Sequence, residues 1–140
     1  MRFVDPNVFL HAFLTPRRTL AKQEQKVKDE AKGIVGKIER DEEVAMTTAH
    51  LSEVVNIVET GLGLQESLGF LACVLSKENV KAYPVSIRHY EAAMPLAKDS
   101  GTSANDALAC LSMRAHKLKE IYSFDRHFGR REGIVRLPRT

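Results

Sequence analysis

A chain of 140 residues and 15.7 kDa has room for one domain and is long enough to bury a substantial core. Hydrophobic residues at 44% and charged residues at 28%, with eight glycines and five prolines, exclude a collagen-like, low-complexity or disordered chain. A formal charge of +3 excludes a polyacidic or strongly polybasic protein. No apolar stretch reaches the roughly 18 residues of a membrane span, and no basic-then-apolar secretory signal opens the chain, so a cytoplasmic protein is expected.

Arg2-Phe3-Val4-Asp5 predicts a short strand closing on an acid, and Pro6 suits the first position of a helix with Asp5 as N-cap. Val27, Ala31, Ile34, Val35 and Ile38 put one apolar stripe on a helix whose other face carries Lys22, Lys26, Lys28, Lys32 and Lys37. Asp41-Glu42-Glu43 reads as a solvated turn. Val44–Thr47 reads as a second strand, with Thr47 or Thr48 capping a helix that carries Leu51, Val54, Val55 and Val58. After Gly61 and Gly63, Leu64, Leu68, Leu71, Ala72 and Leu75 repeat the helical stripe.

Val80–Val85 predicts a third strand with Pro84 near its end, and Ser86 a cap for a helix with Tyr90 and Met94 that Pro95 must kink or end. Thr102 is the expected cap of the helix holding Asn105, Asp106, Leu108, Leu111 and Ala115. Two strand-like pieces, 120–125 and 134–137, close the chain around a basic turn. Strands alternating with helices imply crossover connections and a parallel sheet covered on both faces, an α/β fold. Cys73 and Cys110 lie in apolar helical surroundings and read as core thiols. The five histidines show no HxH or HxxxH spacing, so no zinc site is expected and each reads as a surface or packing residue.

Charge is unevenly placed. From Arg114 to Thr140 eight Lys/Arg face three acids (net +5), leaving thirteen against fifteen (net −2) in residues 1–113. That asymmetry fits a polyanionic partner, and equally a solvated basic tail.

In parallel sheets ligands collect where strands run out into helices. Asp5 follows the first strand, Asp125 the fourth, Glu53 lies beyond the strand ending at Thr47, and Asp106 sits in the first turn of a helix. Each has an ordinary structural role open to it. Asp5 can cap a helix, Asp106 can complement a helix dipole, and Asp125 can cap the turn through Arg126 and His127. Glu53, among Leu51, Val54, Val55, Ile57 and Val58, is harder to assign to structure alone. Carboxylates held together repel unless a cation neutralises them, and an all-oxygen set suits Mg²⁺ or Mn²⁺ and metal-assisted phosphodiester hydrolysis.

Four blocks carry a resemblance: Met1-Arg2-Phe3-Val4-Asp5-Pro6-Asn7-Val8-Phe9, Thr48-Ala49-His50-Leu51-Ser52-Glu53-Val54, Asn105-Asp106-Ala107-Leu108, and Ile121-Tyr122-Ser123-Phe124-Asp125-Arg126-His127-Phe128. In this order the chain resembles PIN domains, most of all the small stand-alone proteins of the VapC toxin type. The resemblance implies one PIN domain over residues 1–140, a three-layer α/β/α fold with a mostly parallel five-stranded sheet. It also implies a Mg²⁺- or Mn²⁺-dependent endoribonuclease, the toxin of a toxin–antitoxin pair. By the same match Asp5, Glu53, Asp106 and Asp125 are the catalytic, metal-binding acids, with Asn7 and Ser123 as supporting polar residues.

Arg126, Arg130 and Arg131 follow the last acid and would hold the phosphate backbone of RNA, single-stranded or looped. Tyr122 and Phe128 are expected to pack. The implied partners are RNA, a VapB-like antitoxin and a second copy in a homodimer. Pro6 departs from the family, which usually carries Thr or Ser there; a catalytically inactive RNA- or protein-binding module is the alternative. A haloacid-dehalogenase-type phosphotransfer fold fits less well, because Asn7 stands where a second Asp is needed.

Overall fold

The computed structural model describes residues 1–139. Its elements are β1 (Arg2–Val4), α1 (Pro6–Phe13), α2 (Lys22–Glu39), β2 (Val44–Thr47), α3 (Thr48–Leu62) and α4 (Leu64–Ser76). There follow β3 (Val80–Tyr83), α5 (Ile87–Ser100), α6 (Ala104–Ala115), β4 (Glu120–Tyr122), a 3-10 turn (Arg126–Arg130) and β5 (Val135–Leu137). The strands stand in the order β3-β2-β1-β4-β5, and every neighbouring pair is parallel. The expected mostly parallel sheet is thus parallel throughout.

The strands are short and apolar because both faces are covered. Alternate side chains point to opposite layers. Val4, Val44, Met46 and Tyr122 join a core with α1, α2, α3 and α4, whereas Phe3, Ala45 and Ile121 pack on Ala109, Cys110 and Met113 of α6 and on Phe128. Ala93 of α5 closes on Ala107 and Leu108 of α6. Three α/β/α layers result. The stripe of α2 lies as its spacing predicts, with Ala31, Ile34, Val35 and Ile38 buried. Tyr122 and Phe128 pack, as expected. No helix among the described residues is long and apolar enough to cross a membrane.

Four local expectations are corrected. The cap of α6 is Ser103, whose side chain accepts the Asp106 N–H at 3.1 Å. Thr102 is engaged elsewhere, its N–H closing α5 on the Ala97 carbonyl and its hydroxyl accepting from Arg131. Of the two outcomes open to Pro95, α5 does not end but runs on to Ser100; both Pro95 and Glu91, whose carbonyl loses its helical partner, are exposed, so water can serve that carbonyl.

The stripe of α4 is rotated. Ser67 and Val74 are buried with Phe70 and Leu71 half-buried, while Leu64, Leu68 and Leu75 stand 60%, 52% and 70% exposed. On that same helix Cys73 is exposed, unlike buried Cys110. The last correction concerns β4, which stops at Tyr122, with the Ser123 N–H still donating to the Leu137 carbonyl of β5.

Phe3 is fully buried at the centre of the sheet. Replacing it with Ala should cost about 3–5 kcal/mol in urea unfolding, whereas Leu75→Ala should stay within about 0.5 kcal/mol. Equal effects of the two substitutions would contradict this packing.

Candidate metal centre at the carboxyl edge of the sheet

The ends of β1 and β4 are adjacent, which places Asp5 beside Ser123. Asp5 occupies the N-cap position of α1, where the Asn7 backbone N–H favours its charged form. Its Oδ2 accepts the Ser123 hydroxyl at 2.5 Å. The same Ser123 oxygen accepts the Asp125 backbone N–H at 3.0 Å, so one buried serine links two acids. Asn7 Oδ1 accepts the Phe124 N–H at 3.4 Å and ties the start of α1 to the same turn. Pro6, buried at the first position of α1, has no N–H to leave unsatisfied.

Glu53 and Asp106 approach from α3 and α6. Asn105 Nδ2 donates to Glu53 Oε1 at 2.7 Å, fixing a half-buried carboxylate toward the start of α6. Behind this pair lies His50, buried against the edge of the Phe3 ring. Its Nε2 is 2.9 Å from the Asn105 carbonyl and its Nδ1 is 2.6 Å from Thr47 Oγ1. A carbonyl only accepts, so Nε2 carries the proton and Nδ1 accepts from Thr47. Burial lowers the His50 pKa, consistent with this neutral ring. Thr47 Oγ1 also accepts the His50 N–H as the cap of α3. His50 therefore clamps the N-terminus of α6, and with it Asp106, to the end of β2.

The last turn adds Asp125 and His127. Asp125 caps the 3-10 turn by accepting the His127 N–H at 3.3 Å, and its Oδ1 makes a short contact with His127 Nδ1. His127 Nε2 lies 3.2 Å from Asp106 Oδ2. One donor atom each from Asp106, Asp125 and His127 fall within 4.8 Å of one another. Sequence reasoning expected an all-oxygen cluster; the structure adds an imidazole nitrogen. The signal was the spacing Asp125-x-His127 across one turn, which a search for paired histidines passes over.

Asp5 records the electrostatics of this edge. Burial is the main cause that raises its pKa to about 7, the charges of Asp106 and Glu53 raise it further, and the bonds from Ser123 and Asn7 oppose them. The donor set fits a divalent cation on two observations: its acids burden one another with like charge, and a buried imidazole nitrogen among them has no hydrogen-bond partner. Of the three arginines, Arg126 and Arg130 are exposed, whereas Arg131 donates to Ser100 and Thr102 and braces the α5–α6 junction. Arg136, one of the eight basic residues of the C-terminal stretch, donates to the Ser123 carbonyl at 3.0 Å.

The PIN domain model matches residues 2–134, and the chain belongs to the PIN domain family. Two solved structures share the fold. VapC20 of Mycobacterium tuberculosis, described as a sarcin-ricin loop cleaving toxin, is 22% identical, with 96% of this chain and 97% of that one covered and a TM-score of 0.70. VapBC2 of Rickettsia felis, bound to a DNA fragment from its promoter, is 14% identical, with 96% of both chains covered and a TM-score of 0.62. No curated protein matches the chain.

A folded pKa near 7 against an ordinary 3.8 makes ionised Asp5 unfavourable in the metal-free fold. Its contribution to stability is fully present below about pH 4 and is lost as pH rises toward 7, a loss on the order of a few kcal/mol. Melting of metal-free protein across that window should show the decline, and Asp5→Asn should flatten it. A profile identical in the two proteins would refute the assignment.

Proposed function

We propose that this chain is a divalent-metal-dependent endoribonuclease, a single PIN domain acting as the toxin of a type II toxin–antitoxin system. The observation that carries the reading is the cluster of Asp5, Glu53, Asp106 and Asp125 on one sheet edge of a PIN-family chain. These four acids hold Mg²⁺ or Mn²⁺. When bound, such an ion supplies Lewis acidity at the scissile phosphate and lowers the pKa of an attacking water.

The chain's own groups do the rest. Ser123 and Asn7 hold Asp5 and Asp125 in place across the two strand ends, and Asn105 aims Glu53. Exposed Arg126 and Arg130 hold the RNA backbone without reading its sequence. Arg131 shapes the segment that carries them.

Partners follow from two surfaces. A groove of about 670 Å³ lined by Leu10, Leu14, Leu20, Val27, Leu62 and Phe124, the residue before Asp125, suits the apolar side chains of a VapB-like antitoxin. Exposed Leu68 and Leu75 of α4 and Ile87 and Met94 of α5 suit a second copy in a homodimer. The VapBC2 neighbour, a toxin with its antitoxin, supports the first of these. Pro6 supports the alternative of a silent binding module, because it removes both a hydroxyl and an N–H beside Asp5.

Cleavage of structured and single-stranded RNA with Mg²⁺ or Mn²⁺ separates the two. Active protein should lose cleavage on chelation, and by roughly a hundredfold or more in Asp106→Asn. Cleavage that survives both treatments overturns the mechanism, and RNA binding without cleavage in the wild type selects the module.

A further inference from the structure

His127 stands inside the acid cluster, and the reading above gives it no task. Its ring is held on two sides, by Asp125 and by packing on buried Phe128 with centroids 4.5 Å apart. A carboxylate only accepts, so the Asp125 contact takes a proton carried on Nδ1, and Nε2 is the ring nitrogen left to face the cluster. That nitrogen is buried, has no hydrogen-bond partner, and faces Asp106 Oδ2 at 3.2 Å.

A lone pair against a carboxylate oxygen at this distance is repulsive. It becomes attractive when both atoms donate to one cation. Adjacent ligands with bonds of roughly 2.0–2.2 Å to a shared ion stand about 3 Å apart, close to the separation observed. A ligating histidine whose other ring N–H goes to a carboxylate is, moreover, the common arrangement around protein-bound metals.

We propose that His127 Nε2 is a direct metal ligand of this centre, oriented by Asp125, and that it biases the site toward Mn²⁺ over Mg²⁺. The proposal rests on the metal-binding reading of the acids. Its selectivity follows from ligand chemistry: Mg²⁺ seeks oxygen, while Mn²⁺ stands higher in the affinity order for mixed nitrogen and oxygen sites. Asp125, bonded to the opposite side of the ring, then holds this ion through His127 rather than directly.

The test titrates Mn²⁺ into metal-free wild type, His127→Ala and His127→Asn, and reads the bound ion by electron spin echo envelope modulation, which detects nitrogen bonded to Mn²⁺. Wild type should show imidazole nitrogen coupling that changes when histidine alone is isotopically labelled. Both variants should lose it, with Mn²⁺ affinity falling about tenfold or more and Mg²⁺ affinity falling less. Mn²⁺ bound to labelled wild type without nitrogen coupling overturns the ligand assignment and leaves the acids' metal role standing; His127 would then be a charged bridge between Asp106 and Asp125. No Mn²⁺ binding by wild type overturns both. The labelled wild type keeps the result independent of how the variants fold.

Discussion

Like charge at close quarters is the constraint on which this structure turns. Carboxylates from the ends of β1 and β4 and from α3 and α6 converge where the sheet gives way to helices, and the pKa of Asp5 shows what that convergence costs. Nothing in hydrophobic burial favours such a gathering. It is imposed by the sheet, whose strands are covered on both faces and whose registers leave little freedom at the edge: Phe3 opposite Ala45 and Ile121, Val4 opposite Tyr122. A core of this kind can hold an unfavourable edge rigidly, and rigidity is what a metal centre needs.

The holding is done by small polar groups rather than by counter-charges. Ser123 donates to Asp5 and accepts from the Asp125 backbone; Asn105 holds Glu53; Thr47 and His50 hold Asn105 in turn. Each such bond is worth only about 1 kcal/mol of stability, but leaving one partner buried and unpaired costs more. The network therefore specifies geometry more than it adds stability. The charges of Asp106 and Glu53 raise the Asp5 pKa, a like-charge burden that a cation would balance. Pro6 is compatible with this arrangement, since the first helical position needs no donor.

Much of this was readable in the residues. Alternation of buried faces in Phe3-Val4 and Val44–Thr47, and the 3.6-residue stripe of α2, reflect burial on two well-defined faces, where periodicity is a strong signal. The same rule failed for α4, because that helix covers only one flank of the core and leaves several leucines to the surface. Thr102 and Ser103 are chemically equivalent caps; Arg131, twenty-nine residues away, engages Thr102 and leaves Ser103 to the helix. His127 carried a local signal in its spacing from Asp125, but its approach to Asp106 of α6, like the bond of His50 to Asn105, joins elements that meet only in three dimensions and obeys no spacing rule.

The central claim is that this edge is completed by a divalent cation that relieves Asp5 and its neighbours. Calorimetric titration of Mn²⁺ near pH 7 in buffers of different ionisation enthalpy tests it most directly, because it counts the protons released on binding. Asp5 with a pKa of about 7 should give up roughly half a proton as the ion binds, and Asp5→Asn should lose that release. Binding with no proton release in wild type, or no binding at all, would contradict the account.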